Sequence, residues 1–171
     1  MKTPMLPLLL LITQLLLITI LPFASADLVD DTCKKTPYAD FCVSALRSDS
    51  RSSTADTPKL GLIMVDKVEV NAKSTLTKIK DLLPKSPDPG MKQALTSCGE
   101  LYNVIISMDV PPSKESLTKG DYKFAEEYMT DAATEASICE AGFGVKSPLS
   151  NSNDYVNKAA SVASAIARLL L

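Results

Sequence analysis

The hydrophobic residues of this chain recur at spacings of three and four, which is the period of an amphipathic helix with one buried face. The first long stripe follows Thr57 and Pro58, where Thr can cap a helix and Pro can occupy its first position. Pro84 and the Pro-rich segment 87–90 are predicted to end it. Its apolar positions are Leu60, Met64, Val68, Ala72, Leu76, Ile79 and Leu83.

Three further stripes of the same period follow. The second is broken or kinked at Pro111 and Pro112 and continues as a short piece to Gly120. The third begins at Asp121, a predicted N-cap, and the fourth follows a polar cap cluster at 150–154. Their apolar positions are Met91, Leu95, Cys98, Leu101 or Tyr102, Ile105 and Met108; Tyr128, Ala132, Ala136, Cys139 and Phe143; and Tyr155, Val156, Ala159, Val162, Ala163, Ile166 and Leu170.

These stripes predict an all-α fold, because no segment shows the sustained alternation of a β-strand. Four helices of about 20–25 residues with short connections are typical of an up-down-up-down four-helix bundle, which we place at residues 58–171. Residues 27–57 are predicted to precede it as a short helical hairpin, bent at Thr36-Pro37, and a polar connector.

The first 26 residues differ from the rest and resemble a secretory leader. Lys2 is followed by a mostly apolar stretch over 8–21, and Ala24-Ser25-Ala26 is typical of a cleavage site. The alternative is a membrane anchor, but the stretch is short and no basic cluster follows it. We expect cleavage before Asp27, entry into the secretory pathway and no membrane association afterwards.

Composition and charge exclude several kinds of function. The 171 residues include no His, so catalysis by Ser-His-Asp or Cys-His pairs and His metal ligands are excluded. The formal net charge of -2, without blocks of Lys or Arg, argues against a nucleic-acid partner. No cofactor or metal is expected.

The chain has four Cys, an even number that predicts two disulfides in a secreted protein. Of the three possible pairings, the short spacing between Cys33 and Cys42 favours a local bridge, which leaves Cys98 with Cys139. A zinc site is not expected, because the spacings lack paired C-x-x-C motifs.

Motifs typical of enzymes are weak. Ser116 and Lys119 match an S-x-x-K pattern, but the companion motifs are missing. Gly142 and Gly144 favour a helix end over half of a dinucleotide-binding motif, since no strand precedes them. The acidic pairs, Asp30-Asp31 and Glu126-Glu127, are most simply solvated surface. We therefore predict that the protein is not an enzyme.

Three stretches of the chain resemble the plant invertase and pectin methylesterase inhibitor family. They are Thr32-Cys33-Lys34-Lys35-Thr36-Pro37 with Phe41-Cys42-Val43, Ser53-Thr54-Ala55-Asp56, and residues 119–143 from Lys119-Gly120-Asp121 to Gly142-Phe143. The resemblance covers nearly all of residues 27–171. It implies a four-helix bundle behind a helical hairpin, with the first Cys bonded to the second and the third to the fourth. It also implies a non-enzymatic protein that blocks a cell-wall or vacuolar enzyme one to one.

Within that family, the resemblance favours the cell-wall or vacuolar fructosidase inhibitors. Members that inhibit acid invertase carry Pro-Lys-Phe, which enters the cleft of the enzyme, and Tyr122, Lys123 and Phe124 stand at the matching positions. Asp121, Glu126 and Glu127 are candidate flanking contacts. The alternatives are that Lys123 is merely solvated and that Phe124 belongs to the core.

The sequence leaves several alternative functions open. The target could instead be pectin methylesterase, and a secreted signalling bundle or a small-molecule carrier would be other classes of function. We also expect binding at acidic pH to depend on carboxylates with raised pKa values, with Glu126 and Glu127 repelling an acidic cleft until they are protonated.

Overall fold

The computed structural model describes residues 28–144 and 146–171, and the predicted leader lies outside them. These residues contain no strand, which confirms the all-α fold, and none of their helices is long and apolar enough to cross a membrane. The helices are α1 at 28–33, α2 at Ala39–Arg47, α3 at Thr57–Leu82, α4 at Pro89–Val104, α5 at Val110–Lys119, α6 at Tyr122–Ala141 and α7 at Ser150–Arg168.

A hairpin of α1 and α2 stands before the bundle. Cys33 is bonded to Cys42 across it, as predicted, and both Cys are fully buried. The ring of Phe41 meets that of Tyr155 on α7 edge-on, with centroids 5.1 Å apart. The hairpin is therefore packed against the bundle, and a 3₁₀ turn at Ser50–Thr54 lies within the predicted polar connector.

The four-helix bundle consists of α3, the consecutive pair α4 and α5, α6, and α7. Helices α6 and α7 pack closely through small side chains, because Ala132 and Ala136 on α6 and Ala159 and Ala163 on α7 are all fully buried. Larger side chains fill the remaining core, among them Leu60, Met64, Tyr102, Ile105, Met129, Leu149 and Ile166.

Two helix starts differ from the predictions. Helix α3 is capped by Asp56, whose carboxylate accepts a hydrogen bond from the backbone N–H of Lys59 at 3.0 Å, so Thr57 is the first helical residue and not the cap. Helix α7 starts directly after Leu149, so the polar residues 150–154 form its first turns and not a cap cluster.

The connection from α3 to α4 is also shorter than predicted. A 3₁₀ turn at Leu83–Lys85 follows α3, and α4 already begins at Pro89. Asp88 caps α4 by accepting a hydrogen bond from the backbone N–H of Met91 at 2.6 Å. The prolines at 87 and 89 thus flank a helix start as well as a helix end.

The second stripe is bent at its two prolines and not interrupted. A π turn at Ile105–Asp109 joins α4 to α5, and the N–H of Val110 donates to the carbonyl of Ile105. Pro111 and Pro112 have no N–H to donate to the carbonyls four residues earlier, so the regular hydrogen-bond ladder cannot continue there. The π turn lets the chain bend while it stays helical.

The second disulfide joins α4 to α6. Cys98 is bonded to Cys139 with a Cα–Cα distance of 4.8 Å, as predicted. In the loop-entropy description, this bridge stabilises the fold by about 4 kcal/mol. Beside it, the buried hydroxyl of Tyr102 donates to Asn153 Oδ1 at 2.7 Å, and Asn153 Nδ2 donates to Glu140 at 2.6 Å. These contacts fix the ends of α6 and α7 that lie away from Gly120.

Candidate functional site

The residues predicted to bind a target lie at a sharp turn between α5 and α6. Helix α5 ends at Gly120, whose φ of 85° lies in the left-handed region that favours Gly. The backbone N–H groups of Gly120 and Asp121 both donate to the carbonyl of Ser116. Asp121 is the N-cap of α6, as predicted, although its side chain makes no capping hydrogen bond. Backbone hydrogen bonds, and not a side-chain cap, therefore close the turn that leads into α6.

Lys123 and Phe124 are both exposed in the first turn of α6. The Phe124 side chain is 57% exposed, which excludes the alternative that it belongs to the core. The side chain of Lys123 is 60% exposed. Tyr122, directly before them, is half-buried and packs against the core. A cation and an aromatic ring thus stand side by side at a fixed helix start, with Tyr122 anchoring them.

Glu126 differs from the other predicted contact residues because its carboxylate is buried. It accepts a hydrogen bond from Arg168 Nε at 2.6 Å and another from Lys123 Nζ at 3.2 Å. Glu127 is exposed, and its carboxylate lies 3.5 Å from Lys123 Nζ. The structure therefore leaves Asp121, Tyr122, Lys123, Phe124 and Glu127 accessible, and we call these five residues the Lys123–Phe124 site. Glu126 lies beneath it.

The pKa of Glu126 runs against the predicted acid switch. Its hydrogen bond with Arg168, supported by Lys123, lowers the pKa of the Glu126 carboxyl in the free protein. The hydrogen bond from Lys123 to Glu126 also raises the pKa of the Lys123 ammonium. Protonation of Glu126 at mildly acidic pH is therefore disfavoured, and the expectation that it has a raised pKa is wrong for the free chain.

A shallow depression of about 390 Å³ opens beside the Lys123–Phe124 site. Its floor and rim combine positive and negative groups, so it suits a polar or charged group better than an apolar one. No group of three or more Cys, Asp or Glu side chains that could hold a metal ion occurs in residues 28–144 and 146–171. The lining residues are Lys123, Glu126, Glu127, Thr130, Asp131 and Arg168.

The weak enzyme motifs form no catalytic arrangement. Lys119 pairs with Glu115, and Ser116 is buried, where its carbonyl closes the end of α5. Gly142 and Gly144 follow the end of α6, with Gly144 at a φ of 65°, which confirms the predicted helix end.

Comparison with known proteins agrees with this arrangement. The family described as plant invertase/pectin methylesterase inhibitor matches residues 27–166. The chain belongs to this family. It is 41% identical over 143 residues to the cell wall / vacuolar inhibitor of fructosidase 1 of Arabidopsis thaliana, covering 84% of this chain and 69% of the relative. It is 33% identical to the pectinesterase inhibitor of Actinidia deliciosa, covering 70% of this chain and 64% of that one.

The fold of the family has been seen in solved structures. A mutant form of a pectin methylesterase inhibitor from Arabidopsis superposes with a TM-score of 0.71 at 23% identity, covering 81% of this chain and 94% of that one. At this identity the likeness shows the fold alone. The family match and the named inhibitors among its sequence relatives make this family member a non-enzymatic inhibitor.

Arg168, in the depression beside the Lys123–Phe124 site, is a residue that the sequence pattern did not indicate. It is the last residue of α7 and lies 42 positions from its partner Glu126. A basic residue in the last turn of a helix is ordinarily explained by the helix dipole. Only the antiparallel packing of α6 and α7 shows that Arg168 reaches the start of α6.

Proposed function

We propose that this family member inhibits acid invertase, a β-fructofuranosidase, by occupying the active-site cleft in a 1:1 complex. The observation that carries the proposal is the exposed pair of Lys123 and Phe124 at the fixed start of α6. The 41% identity to an inhibitor of fructosidase supports this choice of target.

The chemistry of a glycosidase cleft fits this pair. Such a cleft holds two carboxylates that act on the glycosidic bond, and a Lys ammonium can pair with one of them. The ring of Phe124 can occupy the place where a sugar ring would stack. Inhibition then follows from steric exclusion and charge complementarity, without any chemical step.

Tyr122 stands where invertase-inhibiting members of the family carry Pro. Proline fixes φ in advance, and Tyr gives up that restriction. In this structure the half-buried Tyr122 packs against the core, and the turn at Gly120 holds the start of α6 from the other side. We propose that this packing replaces the missing restriction and that the exposed part of Tyr122 adds contact area to the complex.

Inhibition assays with purified protein test the proposed target. We expect inhibition of a cell-wall or a vacuolar invertase, and a loss of about 30-fold or more in affinity for Lys123→Ala and for Phe124→Ala, as for central interface residues. Lys92→Ala and Ile138→Ala are matched controls, since Lys92 is exposed on α4 and Ile138 is 53% exposed at the far end of α6. Full potency of the Lys123 and Phe124 variants would show that the site is wrong.

Pectin methylesterase is the second candidate target, because a pectinesterase inhibitor is among the sequence relatives. The same purified protein should be mixed with this enzyme under the same conditions. Inhibition of pectin methylesterase without any effect on invertase would replace the first proposal with the second.

We further propose that the complex forms preferentially at acidic pH, in the apoplast or the vacuole. Glu127 remains exposed at the site and would repel an acidic cleft until one of the facing carboxylates is protonated. Affinity measured from about pH 4.5 to about pH 7 should fall as pH rises, and a flat profile would contradict the proposal. Entry by the secretory route predicts a mature N-terminus at Asp27, which mass spectrometry of the plant protein can check.

A further inference from the structure

We propose that Arg168 is a second cation of the inhibitory surface, which binds a carboxylate of the enzyme beside the one that Lys123 engages. This inference rests on the proposed function and deepens it. Arg168 lies two residues beyond the last residue that the family description matches.

The guanidinium group of Arg168 is both held and exposed. Its Nε donates to Glu126 Oε1 at 2.6 Å, yet the Arg168 side chain is 66% exposed. Only one edge of the planar group is therefore used in the described part of the chain. The opposite edge carries the two Nη atoms, which form a fork that matches the two oxygens of a carboxylate.

Glu126 lies beneath the site and orients both cations. Its two oxygens are divided between Arg168 and Lys123, so one buried carboxylate orients both cations. Because Nε of Arg168 is held, the plane of the guanidinium is fixed before a partner arrives. Such preorganisation lowers the entropic cost of binding. Glu126 is thus a positioning residue, and the two cations above it are the contacts.

Negative side chains also line the depression beside Arg168. Glu127 and Asp131 also line the depression, and Glu127 already pairs with Lys123. These carboxylates repel a small free anion, so tight binding of phosphate or acetate at this place is not expected. An enzyme cleft differs, because it presents its carboxylates at fixed positions where they can meet Lys123 and Arg168, so that only the repulsion at Glu127 proposed above remains. The mixed charges therefore favour a glycosidase cleft over an isolated anion.

The experiment compares Arg168→Gln and Arg168→Lys with the wild type in inhibition assays at several salt concentrations. Arg168→Gln should weaken inhibition at least about tenfold, as expected for loss of a charge-assisted pair. It should also make inhibition less sensitive to salt. Arg168→Lys keeps the charge without the fork and should recover only part of the affinity.

Arg47→Gln is the matched control. Arg47 is also an exposed Arg, 52% accessible, that pairs with a carboxylate, Asp30, at 2.8 Å on the hairpin. The Arg47→Gln variant should therefore inhibit as well as the wild type does. A double variant of Lys123→Ala with Arg168→Gln should lose more than either single variant.

The outcomes separate this inference from the proposed function. The wild-type protein could inhibit invertase, with inhibition weakened in Lys123→Ala but not in Arg168→Gln. This result would refute the role of Arg168 and leave the proposed function standing. Full recovery by Arg168→Lys, or loss that follows a lowered melting temperature with unchanged salt dependence, would show that Arg168 is merely structural. Wild-type protein without effect on invertase would overturn both.

Discussion

A buried pair of carboxyl groups predicts that this fold is most stable at mildly acidic pH. Asp109, in the π turn, is 5% exposed, and its carboxyl group neighbours that of Glu135 on α6 closely enough for each to shift the pKa of the other. Asp109 Oδ2 and Glu135 Oε2 are both buried without a hydrogen-bond partner among the described residues. Two carboxyl groups can hydrogen-bond only if one of them carries a proton. The contact is therefore complete only while the pair keeps that proton.

The proton is held well above the ordinary carboxyl range. Burial, together with the neighbouring carboxylates, raises the pKa of Glu135 to about 8 and that of Asp109 to about 6. Asp131, one turn earlier on α6, adds a further negative charge. From the ordinary values of 3.8 and 4.5 upward, the folded protein binds more protons than the unfolded chain. Its stability must therefore fall as pH rises through this range.

The size of the effect follows from these shifts. One unit of pKa corresponds to about 1.4 kcal/mol. Glu135 is partly exposed and the pair titrates together, so we discount the full shift and expect a loss of about 1–3 kcal/mol between about pH 5 and about pH 8. Glu69 and Glu126, whose pKa values are lowered, lose their contribution only on acidification below the ordinary carboxyl range. They do not act in this window.

Urea unfolding of wild type and Glu135→Gln at pH 5 and pH 8 tests the prediction. A Gln amide can donate to Asp109 without needing a proton, so the variant should lose clearly less stability at pH 8. Each kcal/mol should also change the melting temperature by about 2–4 °C. Glu100→Gln, at an exposed position on α4, is the control and should behave as the wild type. Equal pH dependence of wild type and Glu135→Gln would refute the reasoning.

Three further changes test other parts of the fold. Gly120→Ala should cost about 1 kcal/mol, since φ is 85° while the space for a Cβ is open, and it should weaken inhibition by turning the start of α6. Chemical denaturation alongside the inhibition assay measures both effects. Tyr102→Phe removes the donor to Asn153 Oδ1 and should cost about 1–2 kcal/mol, measured by calorimetry. Ala163→Leu should cost at least about 1–3 kcal/mol by forcing α6 and α7 apart, whereas the same change at Ala141, which is exposed, should be nearly neutral in thermal unfolding.

The helices and the disulfides could be predicted because their signals are local. Spacings of three and four from Leu60 to Ile79 require only that one face of α3 be buried, and the structure buries Leu60, Met64, Val68, Ala72 and Ile79. The nine-residue separation of Cys33 and Cys42 left a single partner for each remaining Cys. The prediction that Thr57 caps α3 was wrong because Asp56, directly before it, can also cap, and only the backbone direction decides between them.

The two carboxylate networks could not be predicted, since they depend on the packing of distant helices. Glu126 and Glu127 are adjacent and chemically alike in the sequence. Only the rotation of α6 against α7 buries Glu126 next to Arg168 and leaves Glu127 exposed. Similarly, Asp109 neighbours Glu135 because the π turn packs against α6, and no periodic pattern in the sequence indicates such a turn.

The π turn also constrains the length of the chain. Between Ile105 and Val110, it contains one more residue than the corresponding turn of an α-helix. The π turn absorbs that extra residue, whereas deleting one residue from the regular turns of α5 would rotate everything that follows by about 100° and shorten the path by about 1.5 Å. Gly120, and with it the start of α6, would then face another direction. A single-residue deletion far from Lys123 and Phe124 would therefore misdirect both, although every residue of the inhibitory surface would still be present.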